Sequence, residues 1–256
     1  MPIIITRLSD ESVVARDTAA WFVGRACDIV PEAAINENYF EKLLVAMVQG
    51  LQVSFSISFH YIKNNQDQPR VAQNICWAFT SLSDAAYDHA AGMMTGGDSE
   101  TPPTYCMSKY YSGTFSNQNV MTPIRQFSVP TITLEFVLLK MPKAIIEKLL
   151  ETTNRADGNQ NNLRGAAYEA VMEMIKNAPQ DCYGTVLNTT TEIMNRIQNL
   201  FQLEATSGIP ASQKSQFHDL QSLLCATLQA VVRKVRPEDI AKIADQCMEA
   251  LLKMMR

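Results

Sequence analysis

Residues Ser12–Pro31 read SVVARDTAAWFVGRACDIVP, and their pattern returns at Pro69–Tyr87 as PRVAQNICWAFTSLSDAAY. Both stretches predict α-helices. At about 100° per residue, Ala15, Ala19, Phe22, Val23, Ala26 and Val30 of the first fall within about 60° of Ala19. Val71, Ala72, Ile75, Ala78, Phe79, Leu82 and Ala86 of the second gather around Ile75 in the same way. Each helix is therefore expected to lay one apolar stripe on a core.

Trp21 and Trp77 break that pattern. On the wheel Trp21 lies roughly 200° from its stripe, among Asp17, Gly24 and Asp28, and Trp77 lies roughly 200° from its own, among Gln73, Thr80 and Asp84. In both copies an aspartate follows the tryptophan two turns later, so Asp28 and Asp84 share the indole's face. A large apolar ring turned away from the core beside a carboxylate, twice, marks Trp21, Trp77, Asp28, Asp84, Asp17 and Gln73 as candidate partner-binding residues. A bland alternative stands beside this reading, since a tryptophan on a stacked helix also serves as packing and Asp17 has Arg16 and Arg25 as local partners.

The rest of the chain continues the helical theme. Pro2–Leu8 is a short apolar helix, after which Ser12 is placed to cap the next one and Pro31 to end it. Tyr39, Phe40, Leu43, Leu44, Met47, Val48 and Leu51 predict a helix that pairs with Pro69–Ala90, with Asn36 as its cap. Trp21 and Trp77 are 56 positions apart, and removing the 16 residues Val53–Gln68 leaves 40. Such a period belongs to two-helix HEAT or armadillo repeats. Val53–Gln68, whose first half alternates like a strand, is thus expected to be an insertion, and 112–143 a second stretch foreign to the helical pattern.

Between these lie a Gly/Ser/Pro loop after Ala90 and a possible helix start at Tyr105. Further helices are expected at Leu163–Pro179 with Asn162 as cap, at Tyr183–Glu204, at Gln216–Val235 and from Pro237 onward. The last of these shows an apolar face, Ile240, Ile243, Ala244, Cys247, Leu251 and Met254, for which no partner remains in the sequence. The fold class is all-α, an α-α superhelix with two irregular insertions, in repeats at about 2–31, 36–90, 105–178, 182–235 and 237–256.

Composition narrows the functional classes. Across 256 residues, 46% are hydrophobic and 19% charged, enough for an extensive core, and the net charge of −4 disfavours nucleic acid as a partner. The six cysteines form no CxxC and lie mostly at helical core spacing, which points to reduced structural thiols inside the cell. No apolar run reaches the roughly 20 residues of a membrane span, and no signal peptide is evident. The three histidines lack ligand-spaced partners, and P-loop, GxGxxG, GxSxG and HExxH motifs are absent, so metal, cofactor and enzymatic chemistry are not expected.

The wording of SVVARDTAAWFVGRACDIVPEAAIN, PRVAQNICWAFTSLSDAAY, TYCMSKYY, KLLETTNRADGNQNNLRGAAYEAVMEMIKNAPQDCY and FHDLQSLLCATLQAVVRKV closely resembles the middle of the importin-β (karyopherin-β) family. The resemblance covers most of 3–256 outside Val53–Gln68 and about 112–143, two stretches that look like translated intron. It implies a right-handed HEAT stack whose second helices line a concave face, and a role as a nuclear transport receptor in cytoplasm, nucleus and pore.

It further implies that the concave face takes the basic importin-β-binding segment of importin α, or basic cargo signals, with Trp21 and Trp77 at positions of family tryptophans and Asp28 and Asp84 at positions of family acids. Ran GTPase and FG nucleoporins are family partners as well, with most of the Ran contact expected on amino-terminal repeats outside this chain. Two other outcomes remain open at this point: a HEAT scaffold for other assemblies, and a truncated product without independent function.

Overall fold

Apolar residues at helical spacing, punctuated by Pro and Gly, build the chain as a succession of helices. The computed structural model describes residues 1–36, 38–52, 68–94 and 142–254. In order these are α1 (Pro2–Arg7), α2 (Val13–Ile29), α3 (Pro31–Ala34), α4 (Phe40–Leu51), α5 (Gln68–Met94), α6 (Pro142–Thr153), α7 (Leu163–Lys176), α8 (Tyr183–Ser207), α9 (Lys214–Val232) and α10 (Pro237–Met254). The strand-like half of the first expected insertion, the Gly/Pro loop, the helix start at Tyr105 and nearly all of 112–143 lie outside the described residues.

The helices form two layers. α2, α5, α7 and α9 pack side by side in one, each against its neighbour. α1, α4, α6, α8 and α10 make the other, and each sequential pair α1–α2, α4–α5, α6–α7 and α8–α9 is a hairpin joining the layers. Phe79, Leu43, Met47, Ile75, Ile146, Leu149, Leu163, Ile175 and Ile193 are fully buried between them. At about 1.5–3 kcal/mol per buried large apolar side chain, this continuous core is the main stabilising term.

Position in the stack decides how much of a helix is covered. α7 lies between α5, α6 and α9, and it is buried over most of its circumference through Gly165, Ala166, Ala167, Tyr168, Ala170 and Val171. Small residues there let three neighbours approach closely. In α8, Thr189 and Thr190 are buried and their hydroxyls donate to the carbonyls of Thr185 and Val186, both at 2.8 Å, while exposed Thr191 donates to that of Leu187 at 3.1 Å. Back-bonding of this kind satisfies buried hydroxyls without an external partner.

Several expectations change in detail. The buried residues of α2 are Ala19, Ala20, Val23, Gly24 and Cys27, so its core face is rotated roughly 70° from the stripe centred on Ala19. Phe22 and Val30, expected inside, are 43% and 48% exposed. The single-stripe reading supposes one neighbour, whereas α2 touches α1, α3 and α5, and α5 pulls the contact round to Ala20 and Gly24.

Ser12 does stand at the N-cap of α2 and Asn162 at that of α7, but neither side chain makes the capping bond. Instead Asp10 accepts the Ser12 N–H at 2.9 Å. Asn161 and Asn162 hold left-handed φ of 51° and 55° in the tight turn entering α7, a conformation asparagine tolerates. Pro31 comes just after the end of α2, with Val30 between as the C-cap, and also opens the one-turn α3. The apolar face of α10 is not wholly without a partner: Cys247 and Ala250 are buried, with Cys247 Sγ 3.7 Å from Met194 Sδ of α8, leaving Met248, Leu251 and Leu252 exposed.

Candidate partner-binding face

Trp21 projects from α2 with 51% of its surface exposed. One turn later Gly24 is buried, and what covers it is Trp77 of α5: a Cβ at Gly24 would stand 2.6 Å from Trp77 Cε3 and 2.9 Å from Cη2. No real side chain fits there without moving the ring. The Trp77 indole is therefore a half-buried wedge laid across the backbone of α2, three residues along from Trp21. The two indoles meet the same α2/α5 seam, one standing free and one drawn into it.

The carboxylates divide in the same way. Among the described residues Asp28 pairs within its own helix, 3.2 Å from Arg25 Nη1, and keeps 35% of its side chain exposed. Asp17 is spoken for, since Arg70 Nη2 lies 2.9 Å from one oxygen and Asn74 Nδ2 donates to the other at 2.7 Å, both from α5. Its charge is neutralised at the seam and little of it reaches solvent.

Asp84 is more open, and α7 reaches it. Asn177 Nδ2 donates to Asp84 Oδ1 at 3.0 Å, and Lys176 Nζ is 3.8 Å from the same oxygen. Glu173 joins them, accepting from Lys176 at 2.6 Å and from Asn177 at 3.1 Å. Burial first, then the hydrogen bond with Asp84, hold the Glu173 carboxyl above its ordinary range. Gln73 sits half-buried one turn before Trp77.

Three features of this face escaped the sequence pattern. Arg70 and Asn74 have no visible link to Asp17 until the two copies are set in register. Glu173, Lys176 and Asn177 lie some 90 residues from Asp84. Gly24 did carry a signal, because a glycine inside a helix costs up to about 1 kcal/mol and so asks for a packing reason. Nothing nearby resembles a reaction centre: burial pushes the Cys27 and Cys76 thiols up to about 12, and among the described residues no three His, Cys, Asp or Glu gather as metal ligands. No described helix is long and apolar enough to cross a membrane.

A family model described as importin subunit beta-1-like, TPR repeats, matches residues 118–256. The chain belongs to the importin subunit beta-1-like family. That match takes in most of 112–143, and the alignments with importin-β relatives run through both stretches that looked foreign to the pattern.

Importin subunit beta-1 of Schizosaccharomyces pombe is 25% identical over 257 residues, covering 100% of this chain and 23% of that protein. The Saccharomyces cerevisiae protein is 22% identical over 255 residues, covering 100% of this chain and 22% of its own length. Among solved structures, yeast importin-beta (Kap95p) superposes with a TM-score of 0.68 at 20% identity, over 99% of this chain and 22% of its own. Kap95p in the structure where its binding switches the loops of RanGDP gives 0.69 at 20% identity, over 100% and 23%. The importin-β fold is thus a HEAT solenoid here as expected, and the chain spans a little under a quarter of the length of these relatives. The importin-β family is one of nuclear transport receptors rather than enzymes.

Proposed function

We propose that the layer of α2, α5, α7 and α9 forms the concave lining of the superhelix and cradles a basic helical segment, such as the importin-β-binding segment of importin α or a cargo nuclear localisation signal, in protein import into the nucleus. The observation that carries this reading is Trp21, a half-exposed indole on a non-core face with an accessible carboxylate, Asp28, two turns away. A guanidinium or ammonium over such a ring gains about 0.5–2 kcal/mol, and a carboxylate beside it adds a charge-assisted bond. Trp77, half-covered, leaves part of its ring to the same ligand, and Asp84 offers a second carboxylate farther along the seam. Family membership supports the transport role and a cycle between cytoplasm and nucleus through the pore. Ran and FG nucleoporins are partners of this reading only at the level of the family.

The experiment is a titration of the chain with an arginine-rich helical peptide, read by calorimetry at low and physiological salt. Measurable affinity that weakens with salt and with Trp21→Ala is the expected result. An affinity that Trp21→Ala leaves untouched overturns the site. A second reading, a HEAT scaffold holding folded protein surfaces, draws on Asp17 and Trp77, both of which are engaged in packing. The peptide separates the two, since a scaffold for folded partners has no reason to bind it.

A further inference from the structure

Cations in this molecule are held in two ways. Some are built in. Arg196 of α8 reaches across to the end of α6, donating to the Leu150 carbonyl at 3.1 Å and Thr153 Oγ1 at 2.5 Å, and to the hydroxyl of buried Tyr168 in α7 at 3.2 Å. Glu192 of its own helix accepts from it at 2.7 Å, and only 14% of the side chain reaches solvent. A guanidinium forked among a carbonyl, two hydroxyls and a carboxylate is fixed in place. Asp17 is closed to newcomers in the same manner from the acid side, since Arg70 and Asn74 take both its oxygens.

The other kind lies on the layer of α2, α5 and α7. Trp21, Arg25 and Asp28 stand at successive turns along one side of α2. Arg25 is 42% exposed and rests 3.2 Å from Asp28, so a cation of the chain itself sits beside the free indole and against the carboxylate that accompanies it. Across the α5/α7 junction, Lys176 spans two acids, with its Nζ 2.6 Å from Glu173 Oε1 and 3.8 Å from Asp84 Oδ1. That lysine is 65% exposed and Asp84 53%. Both pairs are open to water, and pairs of this sort exchange partners at little cost.

We propose that Arg25 and Lys176 are resident stand-ins for the cations of a ligand, holding Asp28, and Asp84 with Glu173, in the free chain and yielding them when a basic segment docks. The inference rests on the docking reading above and adds its selectivity. A single ligand cation that displaces a stand-in trades one exposed ion pair for another and gains almost nothing. A ligand comes out ahead when it also lays a cation on Trp21, or brings several charges at helical spacing so that one immobilisation serves them all. Stand-ins thus turn away scattered positive charge, such as the lone lysines of ordinary protein surfaces, and leave the face to a dense basic helix.

The test is calorimetric titration of the whole chain with the arginine-rich helical peptide. Arg25→Gln should tighten binding about 2- to 5-fold at physiological salt, and more at low salt, because the vacated carboxylate is then balanced only by solvent ions. Arg25→Lys, which keeps the charge, should tighten it less. Lys143→Gln, on α6 in the other layer, changes the net charge equally from a side chain 63% exposed and should leave affinity unchanged, since exposed charges beyond roughly 8 Å are screened. An Arg25→Gln chain whose affinity is equal or weaker, while Trp21→Ala still weakens binding, overturns the stand-ins and leaves the docking reading in place. Equal tightening by Lys143→Gln overturns them too, as an effect of net charge alone. An affinity that Trp21→Ala leaves untouched removes the docking site and the stand-ins with it. Should Arg25→Gln fail to fold, by urea midpoint, Lys176→Gln decides: a tightening of about 2-fold or more supports the proposal, and no tightening ends it.

Discussion

α2 and α5 carry the same arrangement of tryptophan and acid in sequence, yet the two indoles have different lives. Trp21 is half-exposed, while Trp77 lies across the backbone of the helix before it. The difference comes from Gly24, a residue of the first copy that makes room for the tryptophan of the second. At the matching position of α5, three residues after Trp77, stands Thr80, whose hydroxyl donates to the Cys76 carbonyl of its own helix at 3.3 Å. A duplicated motif thus yields one exposed indole and one structural wedge, because a stack gives successive helices different predecessors.

The sharpest way to break this comparison is Gly24→Leu. With Trp77 within 3 Å of any Cβ at that site, overpacking should remove about 2–3 kcal/mol of stability in urea denaturation. Gly184→Ala, where nothing lies within 4 Å, should be neutral or gain up to about 1 kcal/mol. Equal behaviour of the two variants would refute the wedge.

Exchanging the tryptophans for alanine comes next. Trp77→Ala should lose about 2 kcal/mol of stability, less than the cost of emptying a fully enclosed ring site. Trp21→Ala should stay within about 0.5 kcal/mol and instead weaken arginine-rich peptide binding roughly 2- to 30-fold. Should both variants lose the same quantity in the same assay, the division of labour between the copies is wrong.

Asp17 and Asp28 sharpen the comparison among acids. Asp17→Asn should lower stability by about 1 kcal/mol with little change in peptide affinity, because its carboxylate is committed to Arg70 and Asn74. Asp28→Asn should do the reverse, within about 0.5 kcal/mol in stability, since a solvent-exposed pair within one helix contributes little.

The smallest effect concerns acid. Glu173 holds its proton more tightly in the folded chain than in the unfolded one, through burial and its bond with Asp84. Its contribution is therefore complete below the ordinary carboxyl value of 4.5 and fades as pH rises through the elevated folded value. Glu173→Gln should flatten the stability profile over that rise, measured by urea midpoints at successive pH values, and an unchanged slope would assign the rise to other groups.

Much of the fold was legible because helical spacing in α4, α5, α9 and α10 follows directly from side-chain chemistry, and proline and glycine set the breaks near their observed places. The facing of α2 was not, since a wheel assigns one stripe and α2 answers to several neighbours, so Phe22 and Val30 came out exposed. At the candidate face, Trp21 and Asp28 stand clear of the core as their wheel positions suggest. Asp17 could not be read as a stack tie, because Arg70 and Asn74 meet it only when a second helix is laid alongside. Arg196 was equally silent: one arginine in a polar run of α8 gives no hint that its targets are carbonyl and hydroxyl oxygens on two other helices.

The seat of Trp77 on Gly24 has a mechanical consequence. Because the ring rests against the main chain of the preceding repeat with no side chain between, tilting it and shifting that backbone are one motion, and the two repeats share a single moving part.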